Sequence, residues 1–405
     1  MPPGGSPYRM NARSARNKAT HRQLRQHNQQ LVLRAIYNGL ANNRAALAQE
    51  TGLAKPTVSE LIGELIKAGL LVEEGRGRST RGGGKRPRLL KFVPQARHVI
   101  GLSVNDDHVI GGLSDLNGQV VAWHYTPLDE AHGEAVIDVI SATINGLLAQ
   151  LDAPLLCLGI GVPGVVDAQA GVVQYAPHIG WHDVPLARLL QDRYRVPVYL
   201  ANSTALMAMA EYVYGPADQV ASFVAVRVGA SVGVGMVING AIYHGGGEIG
   251  HLRLATHSPV ESSADVTGRL VTFLGWPYVR QRAAALRRAH PDSLLPGDNA
   301  PLTYLHIHYA ATNGDPAALM LRDELSRSLA QVFAWIIGLL RPDHVSLAGP
   351  IADLGEPFLA QTVAYARELL LPELVQRVSF SLSTSPNLVA MGAIAQALHL
   401  ELGLV

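Results

Sequence analysis

The chain opens with polar and basic residues, and a regular pattern of apolar positions begins only near residue 30. In "QLVLRAIYNGL", Leu31, Ile36 and Leu40 fall roughly on one helical face, with Val32 and Ala35 beside it. In the next stretch, "RAALAQETGLAKPTVSELIGELIKAGLLVEE", Ala45 to Ala48 predict a short helix and Gly52 the turn that ends it. Pro56 suits the first turn of the following helix, where its missing N–H costs little. Val58, Leu61, Ile62, Leu65 and Ile66 then recur at helical spacing as a buried stripe. Two helices joined by a short glycine-containing turn predict a helix-turn-helix, with the second helix facing base edges in a major groove. Lys55, Pro56, Thr57 and Ser59, with Glu60 beside them, are the candidate base-reading residues.

Apolar strand ends at Leu70–Val72 and Leu89–Phe92 bracket "GRGRSTRGGGKRPR", which predicts a β-ribbon wing with a basic tip. Arg81, Gly83, Lys85 and Arg86 are its candidate DNA contacts. Arginine beside glycine suits a narrow minor groove, because glycine removes the bulk that blocks close approach. A flexible basic linker is the plainer alternative for this segment.

After Pro94 the pattern changes. "HVIGLSVNDDHVIGGLSDLNGQVVAWHYTP" alternates apolar runs with turns and predicts a three-stranded antiparallel meander. A helix is expected over about 131–150 and a buried strand over 155–162. Residues 221–243 repeat the meander theme, helices fill much of 263–340, and "HVSLAGP" (344–350) returns to a strand. Two meanders, each followed by helices and strands, predict two related α/β lobes with a cleft between them.

Charge sharpens this division. Residues 1–98 hold 18 Lys+Arg against 5 Asp+Glu, while residues 99–405 hold 15 against 27. A basic head on an acidic body points to a polyanion-binding module joined to something else. One cysteine, Cys157, excludes an internal disulfide framework and a multi-cysteine zinc site. The N-terminal stretch has no apolar core of a secretory signal, and "LAQVFAWIIGLL" (329–340) falls short of the roughly 20 apolar residues of a membrane span. A cytoplasmic protein without a membrane partner is expected.

Three stretches of the body, "LGIGVPGVVDAQAGVVQYAPHIGWHDVPLARLL" (158–190), "VPVYLANSTALMAMAE" (196–211) and "MVINGAIYHGGGEIGHLRL" (236–254), together resemble the ROK family of repressors and sugar kinases. The resemblance implies an α/β fold: an N-terminal winged helix-turn-helix plus a two-lobed, actin-like (ribonuclease H-like) sugar-kinase body. The expected divisions are a flexible basic arm (1–27), the winged helix (28–93), a first lobe (99–201) and a second lobe (202–386). A C-terminal helix over about 387–400 is expected to return to the first lobe.

The chain departs from the kinase branch of that family. Ser103, Asn105, Asp106 and Asp107 stand where the first phosphate loop is expected, and carboxylates there repel phosphate. The second loop reads Gly229-Ala230-Ser231, and Gly349-Pro350 replaces a glycine pair. Ser203 follows Asn202 where the kinases keep the aspartate that takes the sugar's proton; a serine hydroxyl has far too high a pKa for that task. Three family zinc cysteines are replaced by residues near Glu261, Ser263 and Gly268, and a sugar-binding glutamate is absent near Leu270. His257, Glu261 and Asp265 with His251 could form only an improvised metal site. No metal, cofactor or catalytic residue is expected.

Asn202, Glu248 and His251 survive as candidate sugar ligands, with His178 as a fourth. Asn202 also suits a helix cap, and Glu248 with His251 also suits a bracing pair. The expected function is a DNA-binding regulator, a repressor of sugar-utilisation genes. It would act as a homo-oligomer, dimer or tetramer, on a double-stranded operator, with a sugar in the cleft changing how paired heads match their half-sites. The alternatives are a regulator that has lost sugar sensing and uses its body as a scaffold or sensor of another ligand, and an active sugar kinase.

Overall fold

A computed structural model describes residues 21–77, 86–105, 107–215, 220–243, 247–259, 266–297, 300–383, 385 and 387–404. The chain divides into two compact units, Met1–Val93 with Leu402–Leu404, and Pro94–Glu401 with Val405.

The first unit contains α1 (His21–Tyr37), α2 (Arg44–Thr51), α3 (Lys55–Lys67), β1 (Leu71–Arg76) and β2 (Arg88–Phe92). Asn43 caps α2, its side chain accepting from the Ala46 N–H at 3.1 Å. Gly52 ends that helix at φ +69°, the left-handed region where a Cβ is unwelcome. Pro56 sits in the first turn of α3. Val58, Leu61, Ile62 and Leu65 are buried against Val32, Leu33, Ile36 and Leu47, each burial worth about 1.5–3 kcal/mol. β1 and β2 pair antiparallel as the expected ribbon. Glu73 on β1 takes ion pairs from Arg44 (2.7 Å) and Arg88, tying helix α2 to both strands.

Two expectations for this unit change. Leu40 is exposed, because α1 ends at Tyr37 and the chain turns away; Leu33 takes the buried place instead. The helix also starts at His21, within the stretch expected to be a flexible arm. Arg25 there pairs with Glu60 (2.6 Å) and Glu64 of α3, giving that first turn a partner.

The second unit is built on two five-stranded sheets. The first combines β3 (His98–Val104), β4 (His108–Ser114), β5 (Val120–Pro127), β6 (Leu155–Val162) and β10 (Val198–Asn202), in the order β10-β6-β3-β4-β5. Strands β7 (Val165–Asp167), β8 (Val172–Ala176) and β9 (Trp181–Val184) form a small side sheet. The second large sheet combines β11 (Ser222–Val228), β12 (Val232–Ile238), β13 (Ala241–Ile242), β14 (His344–Ala348) and β15 (Ser379–Leu382), in the order β13-β12-β11-β14-β15. Each sheet is therefore an antiparallel meander whose first strand continues into two parallel strands. Strand β3 is buried along its whole length, as a strand covered on both faces requires.

The helices of this unit are α4 (Glu134–Leu148), α5 (Leu186–Tyr194), α6 (Ser203–Tyr214), α7 (Val271–Leu274), α8 (Trp276–Ala289), α9 (Tyr304–Thr312), α10 (Pro316–Leu340), α11 (Gly355–Leu369), α12 (Pro372–Val375) and α13 (Leu388–Leu402). Helix α13 lies on the first sheet, where Gly101 and Gly159 admit its Ala390 and Ala393 carbonyls. Helix α6 lies on the second, where Gly235 admits the Thr204 carbonyl. A Cβ at any of these glycines would strike helix backbone. Gly392 brings α13 against α6 in the same way, so the two helices pack on each other. Trp181 is buried and donates its indole N–H to the Gly133 carbonyl at 2.7 Å, a packing role. Among the described residues no helix is long and apolar enough to cross a membrane.

Candidate functional site

The turns that follow β3 and β11, one from each large sheet, help to line a cavity of about 510 Å³. Glu248 and His251 reach it from the segment after β13. Gly247 (φ +125°) and Gly250 let that segment lie flat on β12, the Val234 N–H donating to the Gly247 carbonyl at 2.8 Å. Side chains at those two positions would collide with the Val234 and Val232 backbone, so the Gly-Glu-Ile-Gly-His run is a device for aiming Glu248 and His251. His178 arrives from the turn between β8 and β9 and lines the same cavity.

Asn202 stands behind this set. Its carbonyl oxygen accepts from the Thr204 N–H (2.8 Å), capping α6, and from the Thr204 hydroxyl (2.5 Å). Its amide donates to the Gly164 carbonyl (2.6 Å) and to Glu248 Oε1 (2.7 Å). Its two donors and its acceptor are thus engaged, and it is not among the residues lining the cavity. The structure places it as the support of Glu248 rather than as a lining ligand group.

Burial raises the Glu248 carboxyl above its ordinary range; the Asn202 hydrogen bond and the charges of Arg227 and His178 oppose that rise. Burial likewise lowers the His251 imidazole, with Arg269 and His178 lowering it further. Arg269 donates to His251 Nδ1 at 3.2 Å, which puts the imidazole proton on Nε2, 4.0 Å from Glu248 Oε2. At that spacing Glu248 and His251 do not form the tight bracing pair; each leans on a different neighbour. A neutral Nε2–H donor beside a buried carboxylate acceptor offers a hydroxyl-bearing ligand one of each.

Ser203 also lines the cavity. Its hydroxyl is buried and has no hydrogen-bond partner among the described residues. Arg227, on strand β11, and Arg269 line it too; neither figured among the sequence candidates. A charged residue inside the otherwise apolar run "SFVAVRV" was the available signal for Arg227. Arg269 follows Gly268, near the position expected for a zinc ligand, while Leu270 beside it is buried in the core. A second cavity of about 340 Å³ adjoins the first and shares Asn105, His108, Arg227, Pro350 and Val389 with it.

No group of three or more metal-ligating side chains converges among the described residues. His257 is exposed, and Glu261, Ser263 and Asp265 lie outside the described residues.

In the first unit, Lys55, Pro56 and Ser59 are exposed on α3 and Thr57 is half-buried. Gly63 continues that exposed face with nothing within 4 Å of where a Cβ would stand. Glu60 is held by Arg25. Arg86 is exposed at the base of the ribbon, and Arg81, Gly83 and Lys85 lie outside the described residues.

The chain thus joins a helix-turn-helix with a two-stranded ribbon to an α/β body built on two sheets of one strand order, with a polar cavity. The ROK family pattern matches residues 99–397, and the chain belongs to the ROK family. It is 33% identical over 239 residues to the xylose repressor of Bacillus subtilis (strain 168), a match spanning 57% of this chain and 62% of that repressor, so under two thirds of the relative is covered. It is 28% identical over 348 residues to the DNA-binding transcriptional dual regulator NagC of Escherichia coli (strain K12), covering 83% of each chain. Among solved structures, a ROK family transcriptional regulator, homolog of the E. coli MLC protein, aligns with TM-score 0.80 and 24% identity over 94% of this chain and 98% of its own. A ROK family glucokinase from Streptomyces griseus aligns with TM-score 0.64 and 23% identity over 74% of this chain and 98% of its own. These likenesses establish the fold of both units and of the kinase-like body.

Proposed function

We propose that this chain is a sequence-specific DNA-binding transcriptional regulator, a cytoplasmic repressor of sugar-utilisation genes that acts as a homo-oligomer. Its operator affinity responds to a sugar-type ligand in the cavity of the body. The observation that carries the reading is one chain holding both an exposed Lys55–Ser59 face on a winged helix and a cavity lined by Glu248, His251 and His178. The names of its relatives, a xylose repressor and a DNA-binding transcriptional dual regulator, support it. No phosphoryl transfer is proposed: Ser203 occupies the kinase base position, and an unactivated serine hydroxyl does not take a sugar proton at neutral pH.

Binding to the promoter region of its own gene, followed by fluorescence anisotropy, tests the head. Affinity should fall steeply with salt as phosphate contacts release counterions. Charge reversal at Arg86 should weaken binding to all sequences alike, and substitution of Ser59 should change sequence preference. Gly63→Ala should stabilise the protein by roughly 0.5–1 kcal/mol while weakening operator binding, because the methyl blocks close approach of the helix. Operator release by one member of a sugar panel tests the sensor, and ATP turnover with any hexose would sink the non-catalytic reading.

A further inference from the structure

We infer that helix α13 couples the cavity to the DNA-binding unit: a sugar that displaces its first turn moves the segment Leu402–Leu404, and with it helix α1. The inference rests on the reading of the cavity as a sugar sensor and names the route by which an occupied cavity regulates the head.

The chain first passes from one unit to the other at Val93–Pro94, where β2 has ended and a short turn, Pro94–Ala96, begins. It passes back between Glu401 and Leu402, inside α13, with the backbone still helical. The second passage is the stiffer one, since a helix of 15 residues is a hydrogen-bonded rod about 22 Å long. The two ends of this rod have different surroundings. Val389, in the first turn, lines both cavities, and Asn387 and Leu388 line the second. At the far end Leu404 of the first unit is fully buried, and Arg34 of α1 donates to the Gly403 carbonyl at 2.7 Å. Gly403 lies so close to α1 that a Cβ there would stand 2.9 Å from the Gln30 side chain.

Between its ends α13 is buried from Gly392 to Leu398. It meets the first sheet and α6 through small residues, Ala390, Gly392 and Ala393, and such a surface lets a helix slide by a small amount as one body. A close-packed interior passes that displacement on instead of absorbing it. A second tie follows the same course. Tyr199 on β10 donates its hydroxyl to Glu401 Oε2 at 2.5 Å, and β10 ends in Asn202, whose amide holds Glu248 at 2.7 Å. The last turn of α13 within the body is thus fastened to the strand that positions a cavity carboxylate. Cavity and head share one helix, and its backbone is pinned at the head by Arg34.

The test uses the full-length protein and the promoter fragment of its own gene, with glucose, galactose, xylose, arabinose, maltose and cellobiose as probes. Isothermal titration follows sugar binding and fluorescence anisotropy follows operator binding. A sugar that binds should change operator affinity about tenfold, and by linkage the operator should change that sugar's affinity by the same factor. Inserting Gly-Gly-Ser between Glu401 and Leu402 leaves the tail free to dock but interrupts the rod. Sugar and operator should each still bind this variant, while their mutual effect falls to about twofold or less. Arg34→Met, which removes the bond to the Gly403 carbonyl, should lower the mutual effect in the same direction. In the unaltered protein the same sugar should change amide hydrogen exchange at residues 402–404 and in α1 around Arg34, a measurement that decides the matter should the insertion fail to fold. A mutual effect that survives both variants, or a sugar that shifts operator affinity without altering exchange at 402–404, would overturn the route and leave sugar sensing standing. Failure of every sugar in the panel to alter operator binding would remove the sensing reading itself and the inference with it.

Discussion

The two large sheets of the body share one strand order, and each sends the first turn of its meander to the same cavity. The chemistry of the two turns is opposite. After β3, the turn carries Asn105 and Asp107, with His108 held by Asp107 at 2.6 Å. After β11, it carries Gly229, Ala230 and Ser231, preceded by Arg227, and closes with the Gly229 N–H donating to the Ser231 carbonyl at 2.9 Å. One turn brings a carboxylate to the cavity; the other brings alanine and serine beside a guanidinium. Duplication of the sheet decides where a turn goes, and its side chains decide what it brings there.

The strongest way to test whether the sheets are equivalent as scaffolds is to fill the glycines beneath their helices. Gly159→Val would drive a side chain into the Ala393 carbonyl of α13, and Gly235→Val into the Thr204 carbonyl of α6. Each should cost about 2–3 kcal/mol or more in denaturant unfolding. A large loss at one glycine and none at the other would break the equivalence.

Next comes the junction residue. Asn202→Ala removes the α6 cap and the support of Glu248, an expected loss of about 1–2 kcal/mol. Ser203→Ala should be neutral or slightly stabilising, since it removes a hydroxyl with no partner among the described residues. Equal losses at the two positions would show that the cap, as described, is wrong.

A smaller effect concerns the turns themselves. Asp107→Asn should change the affinity of a sugar ligand by a few-fold at most, because an exposed charge is screened. A tenfold change would mean that the first turn, not the second, governs binding.

The smallest effect is acid sensitivity in the second sheet. His344 at the start of β14 is held between the Ser379 and Ser381 hydroxyls (2.7 and 2.8 Å), and burial lowers its pKa below the ordinary 6.5. The unfolded chain takes that proton more readily than the folded one. Its contribution is therefore complete at neutral pH and shrinks as pH falls below about 6.5. His344→Gln should flatten the acid limb of a stability–pH curve, and an unchanged limb would clear His344 of the effect.

Much of this architecture is legible in the order of residues. The helical stripe from Val58 to Leu65 and both meanders follow from local periodicity and turn chemistry, while the return of the last helix to the first sheet was expected only from the family resemblance. Asn202 was readable both as a ligand group and as a cap, and its side-chain oxygen caps α6. Leu40 misled, since helical spacing continues past Tyr37 whereas the helix does not. The cavity's cationic half was not legible. Arg227 and Arg269 come from segments far apart in the chain, and no spacing connects them until the second sheet and its neighbours are folded.

The first unit has a further property. Leu402–Leu404 belong to it, with Leu404 fully buried and Arg34 of α1 donating to the Gly403 carbonyl at 2.7 Å. The N-terminal helices are made first, yet their last packing partners come from beyond residue 400. A ribosome that stops early leaves a helix-turn-helix lacking part of its core. A short deletion at residues 402–404 should accordingly be felt in the helix-turn-helix as well as at the distant end of the sequence.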